Sequence, residues 1–321
     1  MTFGHETTST SLTAVRVQGA ENIQPFLATF RSYGHTEIDT ARIYGNGETE
    51  ETLGETHALD GLKIATKVWP SAPCAHGQEN LAPTLRASLN ALQVDKVDIF
   101  YLHAPDFTTP FEETLKAFGL SNYSAWQVAW IHQICKQNGY VLPTMYQGMY
   151  NPITRDVARE LFPCLKAFGI SFDAYNPLAG GLLSGKHRFE DSVVNDGSRY
   201  DTKMGFGNIY RERYWNELFL KAIRDLKSTA ESLGISLVDA TLRWMVHHSG
   251  LGPDDGIVMG ASSVSHLKSN LDILVHGQPL PKEMVMAFDA AWEHVQPACP
   301  SYFKTEGVIK TYLPTAPDSS S

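Results

Sequence analysis

The feature that most restricts the fold of this chain is a rhythm, in which short β-rich runs alternate with segments whose apolar residues recur at helical spacing. The runs "HTEIDTA" (35–41), "LKIATKVW" (62–69), "VDIFYLHA" (97–104), "PTMYQGMYN" (143–151), "ISFDAYNPL" (170–178) and "GIVMG" (256–260) read as strands. Between them, "ENLAPTLRASLNALQ", "SAWQVAWIHQICKQNG" and "TRDVARELFPCLKAFG" read as helices. The last two close at Gly139 and Gly169, which can take the left-handed conformation of a C-cap. Successive strands begin 27, 35, 46 and 27 residues apart, the 46-residue interval holding two units. Such intervals fit one crossover helix per strand, the connection that parallel strands require.

A closed barrel and an open doubly wound sheet share this rhythm. No G-x-G-x-x-G follows an early strand, and "GNGETEETLG" lacks that spacing, which removes the usual pyrophosphate cradle of the open sheet. The expectation is therefore α/β, a (β/α)8 TIM barrel, as one domain over residues 1–303 with a polar tail at 304–321. At 321 residues and 43% hydrophobic, the chain is long enough to bury such a core. Its net charge of −9 comes without a long basic run, so neither a nucleic-acid nor an anionic-membrane surface is expected. Four cysteines without CxxC or Cys-His spacing read as reduced packing residues, and no metal site is expected; His247-His248 lacks a third ligand nearby. "MTFGHETTSTSLTAV" shows no leader pattern, and no apolar run reaches about eighteen residues, which makes the cytoplasm the default location.

In a barrel, chemistry collects at the C-terminal ends of the strands, and there this chain carries Asp39, Lys67, His103, Asn122, Gln147 and Asn176. An ionisable group at the buried end of an apolar strand is costly unless paired, so Asp39, Lys67 and the nearby Tyr44 are expected to meet. A lysine beside a phenol favours the phenolate, and an aspartate keeps that lysine charged. A neighbouring histidine can orient a carbonyl oxygen. The set suits carbonyl reduction, with Tyr44 as general acid. Any one of these residues alone would more often be a structural ion pair or a packing ring; four types at one end of three successive strands are harder to obtain by packing.

The stretches "HTEIDTARIYGNGETEETLG", "IATKVWP", "DIFYLHAPD", "GLSNYSAWQV", "PTMYQGMYN" and "AYNPLAGGLLSGK" together resemble the aldo-keto reductases, in particular the aflatoxin-aldehyde reductase branch, from the first residues to "CPSYF" near 303. The resemblance implies an Asp39-Tyr44-Lys67-His103 tetrad with Tyr44 as proton donor. It also implies NADPH lying extended across the barrel mouth. Its carboxamide would meet Ser121, Asn122 and Gln147, and its nicotinamide would stack on Tyr175 beside Asn176. Leu178, Gly180 and Lys186 would follow the pyrophosphate, and Ser262, Ser263, His266 and Asn270 the 2′-phosphate and adenine. His266 stands where the family more often has Gln or Arg, which leaves NADH open as the cofactor.

Trp69, Phe107, Met149, Tyr150, Tyr210, Arg213 and Tyr214 are expected near the mouth, suiting an apolar or aromatic carbonyl compound with an anionic group facing Arg213. By resemblance the substrate is a small aldehyde or ketone, and the setting aldehyde detoxification or fungal secondary metabolism. Oligomeric state is left open, a homodimer included. Two departures from the family stand out. "MTFG" resembles only the end of the first barrel strand, and "PFEETLKAF" runs straight into "GLSNY", so strands one and five are expected to be shortened. These gaps keep two alternatives in view, a cofactor-binding interaction module and an inactive truncated remnant.

Overall fold

The structure is a computed structural model and describes residues 3–4, 15, 17–114, 119–187, 198–203 and 205–305. A two-residue strand β1 (Phe3–Gly4) pairs in parallel with β2 (Val17–Gln18), which leads into α1 (Ala20–Ser32). Then follow β3 (Glu37–Asp39), α2 (Glu48–Glu55), β4 (Lys63–Val68), α3 (Gln78–Leu92), β5 (Ile99–Leu102) and α4 (Phe111–Thr114). The next units are β6 (Gly119–Ser121) with α5 (Ala125–Asn138), β7 (Met145–Met149) with α6 (Val157–Phe168), and β8 (Ser171–Tyr175). After β8 come α7 (Gly205–Tyr214), α8 (Glu217–Ser232) and α9 (Leu237–His247) before β9 (Gly256–Ile257), α10 (Val264–His276) and α11 (Lys282–Val295).

Strands β3 to β9 form one seven-stranded parallel sheet in sequential order. This is the curled sheet and helix ring of a (β/α)8 architecture. Among the described residues the first strand is the two-residue β1, which pairs with β2 and not with the sheet. The fifth barrel strand is β6, only three residues long. Among the described residues, β3 and β9 are therefore the open edges of the sheet. The helical ring does close: Ile23, Phe26 and Leu27 of α1 and Leu267 and Leu271 of α10 bury one another in a single cluster. Tyr33 at the end of α1 also hydrogen-bonds to Asp272 of α10.

Each strand splits its side chains between two layers with period two. In β4, Ile64 and Val68 join the apolar shell under the helices, while Ala65 and Lys67 face the lumen side. The larger shell runs beneath α5, α6, α8, α9 and α11, where Met284, Phe288 and Val295 of α11 are fully buried. The apolar face of "PKEMVMAFDAAWEHV" thus packs against the outside of the barrel. Gly139 and Gly169 end α5 and α6 at φ 66° each, as their positions suggested. The strands are shorter than the β-rich runs predict, because a parallel ladder extends only as far as both partners remain side by side. With β6 so short, only Met145, Tyr146 and Gln147 of β7 have partners on that side.

Candidate active site

Parallel register brings the chemistry-bearing residues to one end of the sheet. Asp39 is the last residue of β3, Lys67 the penultimate residue of β4, and His103 directly follows β5. Tyr44 opens a tight turn, Tyr44–Gly47, in which Gly45, Asn46 and Gly47 have φ of 57°, 55° and 105°. Glycine suits position 47 because its φ of 105° is a conformation that other side chains rarely adopt; beside it Arg42 is held by Glu50 (3.2 Å) and Glu51 (3.0 Å).

The Lys67 side chain is fully buried, and its Nζ donates to Asp39 Oδ2 at 2.6 Å and to the Thr40 carbonyl at 2.7 Å. The second Asp39 oxygen accepts from Gln147 Nε2 at 2.8 Å. Nζ lies 5.3 Å from the Tyr44 ring centre, and that ring meets His103 edge-on at 5.8 Å, with Trp69 on another side of His103 at 5.1 Å. The four residues anticipated from sequence are thus one cluster.

Burial alone would lower the Lys67 pKa, yet Asp39 and Tyr44 carry it above its ordinary value, so the group is an ammonium ion. For Tyr44 the sequence suggested a lowered pKa. The net direction is upward, because burial outweighs the pull of Lys67, and the side chain is a neutral phenol with a proton to give. His103 is driven well below its usual range by burial, Lys67, His76 and Lys304, which keeps its imidazole uncharged. His103 Nδ1 has no hydrogen-bond partner among the described residues.

The cluster opens on a cavity of about 1510 Å³. Asp39, Tyr44, Trp69, His103, Ser121, Asn122, Gln147, Tyr175, Asn176, Leu178, Gly180, Lys186, Tyr210, Arg213 and Ser262 all line it. Several of them already engage one another. Asn122 donates to the His103 carbonyl and to Ser121 Oγ, both at 2.9 Å, and accepts from the Tyr175 hydroxyl at 2.8 Å. The Gly180 amide donates to Asn176 Oδ1 at 2.6 Å. Asn122 and Asn176 leave their strands at φ of 63° and 64°, a left-handed conformation that asparagine tolerates better than most side chains.

Other anticipated residues lie elsewhere. Met149 was expected at the rim; it shares the lumen-facing phase of Gln147 but is only 3% exposed and does not line the cavity, because Tyr214, whose hydroxyl donates to its sulfur, packs against it. Tyr150 and Tyr214 are also core residues, and Phe107 is exposed to solvent. Ser263 caps α10 through the His266 amide, His266 Nδ1 lies 3.0 Å from Ser262 Oγ, and buried Asn270 faces Met259; none of these three lines the cavity.

Sequence reasoning missed Lys304 and Asp173. Lys304 was assigned to the tail, but its amide donates to the Asn122 carbonyl at 2.9 Å and it lines the cavity, where burial and then Arg213 push its pKa down to about 7. No local signal marks it. Asp173 did carry a signal, a carboxylate inside an apolar strand, the same one that drew attention to Asp39.

No helix among the described residues is long and apolar enough to cross a membrane. Among the same residues no cluster of His, Cys, Asp or Glu could hold a metal ion. An α/β barrel whose strand ends gather a buried lysine, a carboxylate, a phenol and an imidazole over a deep cavity is the frame of a small-molecule enzyme. The profile of the Aldo/keto reductase family matches residues 1–293. Human aldo-keto reductase family 7 member A3 is 44% identical over 302 residues, spanning 86% of this chain and 90% of the relative. Human aflatoxin B1 aldehyde reductase member 2 is 44% identical (86% and 83% covered), and an aldo-keto reductase of Pseudocercospora fijiensis is 41% identical (86% and 99%). The chain belongs to the aldo/keto reductase family, and it is an oxidoreductase of carbonyl compounds.

Proposed function

We propose that this protein reduces an aldehyde or ketone to an alcohol with NADPH, and that Tyr44 delivers the proton. The observation that carries the reading is the Lys67 ammonium, buried against Asp39 at 2.6 Å and set beside the Tyr44 ring. In a site of low dielectric, that fixed cation stabilises the phenolate left behind when Tyr44 gives up its proton. A neutral His103 beside Tyr44 can hold the substrate oxygen by a hydrogen bond without competing for the proton.

The cavity has the chemistry to hold the cofactor. Ser121, Asn122 and Gln147 offer an amide-matching wall beside the Tyr175 ring, while Lys186 and Arg199 supply cations for phosphate. Gly181, at φ 100°, leaves the space at its Cβ position open, so backbone can approach a phosphate there. Bound nicotinamide supplies the hydride. The substrate class that fits Trp69, Tyr210 and Arg213 is an apolar or aromatic carbonyl with an anionic group. The relatives named for aflatoxin aldehyde support an aldehyde as the substrate, and the proposed setting is aldehyde detoxification or fungal secondary metabolism.

The test is NADPH oxidation with a panel of aromatic aldehydes. Tyr44→Phe is expected to lower kcat by about a hundredfold or more while NADPH still quenches tryptophan fluorescence. Full activity in that variant removes Tyr44 as the acid. The open edges at β3 and β9 favour a second reading, a poorly functional remnant. NADPH at a hundred times its Kd stabilises a binding-competent fold by about 2.7 kcal/mol, a thermal shift of several degrees, and no shift supports the remnant.

A further inference from the structure

Below the tetrad the lumen holds a second acid. Asp173, on β8, accepts a hydrogen bond at 2.9 Å from the hydroxyl of Tyr101, on β5 across the lumen. The Tyr101 ring lies under Lys67, with Nζ 5.8 Å from its centre. Two glycines clear the room: a Cβ on Gly119 would lie 2.5 Å from the Tyr101 ring, and one on Gly256 would lie 2.2 Å from Asp173 Oδ1. Both neighbouring strands are thus cut back to admit this pair. Tyr101 is fully buried, whereas Asp173 faces the cavity.

The charged groups around Asp173 define what its ionisation does. Glu37 and Asp39 of β3 repel it, Lys67 of β4 attracts it, and Tyr101 donates to it. Gln147, its register partner on β7, is uncharged. Asp98 and Asp255 are turned to the backbone amides of Ile64 and Phe172. Burial is the largest influence and raises the Asp173 pKa to about 6, within the range where an enzyme works.

The geometry points to Asp173 as a positioning residue for the acid at Tyr44: ionised, it competes beside Tyr101 for the Lys67 ammonium and weakens that cation's hold on the Tyr44 oxygen; protonated, it releases the cation. The inference rests on Tyr44 being the proton donor. It makes reduction faster on the acid side of the Asp173 titration. The pair acts through Lys67 and not on the reacting atoms, so its effect is read in the pH dependence of kcat.

The experiment follows Tyr44 ionisation by NMR of ¹³Cζ-labelled tyrosine, and kcat against pH at saturating NADPH, in wild type, Asp173→Asn and Tyr101→Phe. In wild type, kcat is expected to fall roughly threefold as pH rises through about 6. In Asp173→Asn that step disappears and Tyr44 ionises at lower pH. In Tyr101→Phe the step moves to higher pH, because the lost hydrogen bond had been lowering the Asp173 pKa. An unchanged Tyr44 titration in Asp173→Asn, or a step that survives in it, overturns the proposal. A shifted Tyr44 titration in a protein that reduces no carbonyl compound would leave the coupling standing and overturn the reductase reading. Tyr101→Phe retains the ring and the carboxylate, so it provides the answer if Asp173→Asn fails to fold.

Discussion

Lys67 shows how a residue's surroundings decide its role. Its side chain is out of water entirely, and two oxygens within 2.7 Å hold its charge. Lys67→Met leaves Asp39 with Gln147 alone and is expected to lower unfolding free energy by roughly 3 kcal/mol in urea titrations. Asp173 and His76 predict opposite pH slopes. Asp173 has a pKa raised to about 6, so its stabilising contribution is complete below the ordinary 3.8 and is lost as pH rises through 6. The advantage of Asp173→Asn over wild type should grow across that window, by at most about 3 kcal/mol. His76, buried with neither ring nitrogen hydrogen-bonded among the described residues, has a pKa lowered to about 4. Its contribution is complete above 6.5 and is lost as pH falls through 4, so His76→Gln should flatten the acid limb. At this scale the tetrad was legible because a charge inside an apolar run is conspicuous. Lys304 was not, since a lysine in a polar stretch gives no sign that the fold turns it inward.

At the scale of elements, close approach decides more than propensity. A Cβ on Gly54 of α2 would lie 2.3 Å from the Ala91 carbonyl of α3, a backbone atom that cannot step aside. Gly54→Ala should therefore separate the two helices at about 2 kcal/mol, measured as a lowered Tm, while a distant Gly139→Ala acts only through its left-handed φ. The edge strands give a second expectation. Thr40 donates its amide to Ala65 of β4, so the alternation of a strand turns the Asp39 amide to the open side. Hydrogen exchange should be faster at Asp39 than at Tyr146, which sits between two strands; equal protection would mean the edge is covered. Helix positions and their glycine caps were readable from periodicity, which is local. Strand lengths were not, because a strand ends where its neighbour does.

Across the whole molecule, α1 and α10 bring the ends of the chain's array together even though β3 and β9 do not pair. The lumen and the seam between those edges share one cavity, which reaches from Trp69 at the mouth to Phe30 of α1 and Leu271 of α10. Its volume exceeds what a small carbonyl compound needs, so cofactor binding should contribute a large share of the protein's thermal stability. The amino-acid sequence determined the alternation of strands and helices, the family, and the four residue types at the strand ends, because periodicity and charge placement act over a few residues. Only the tertiary structure decided that burial holds Tyr44 protonated, that Met149 is buried against Tyr214 and kept from the cavity, and that Asp173 and Tyr101 meet below Lys67. Those outcomes depend on dielectric and on distances across the lumen, between strands far apart in the chain, and no local pattern encodes them.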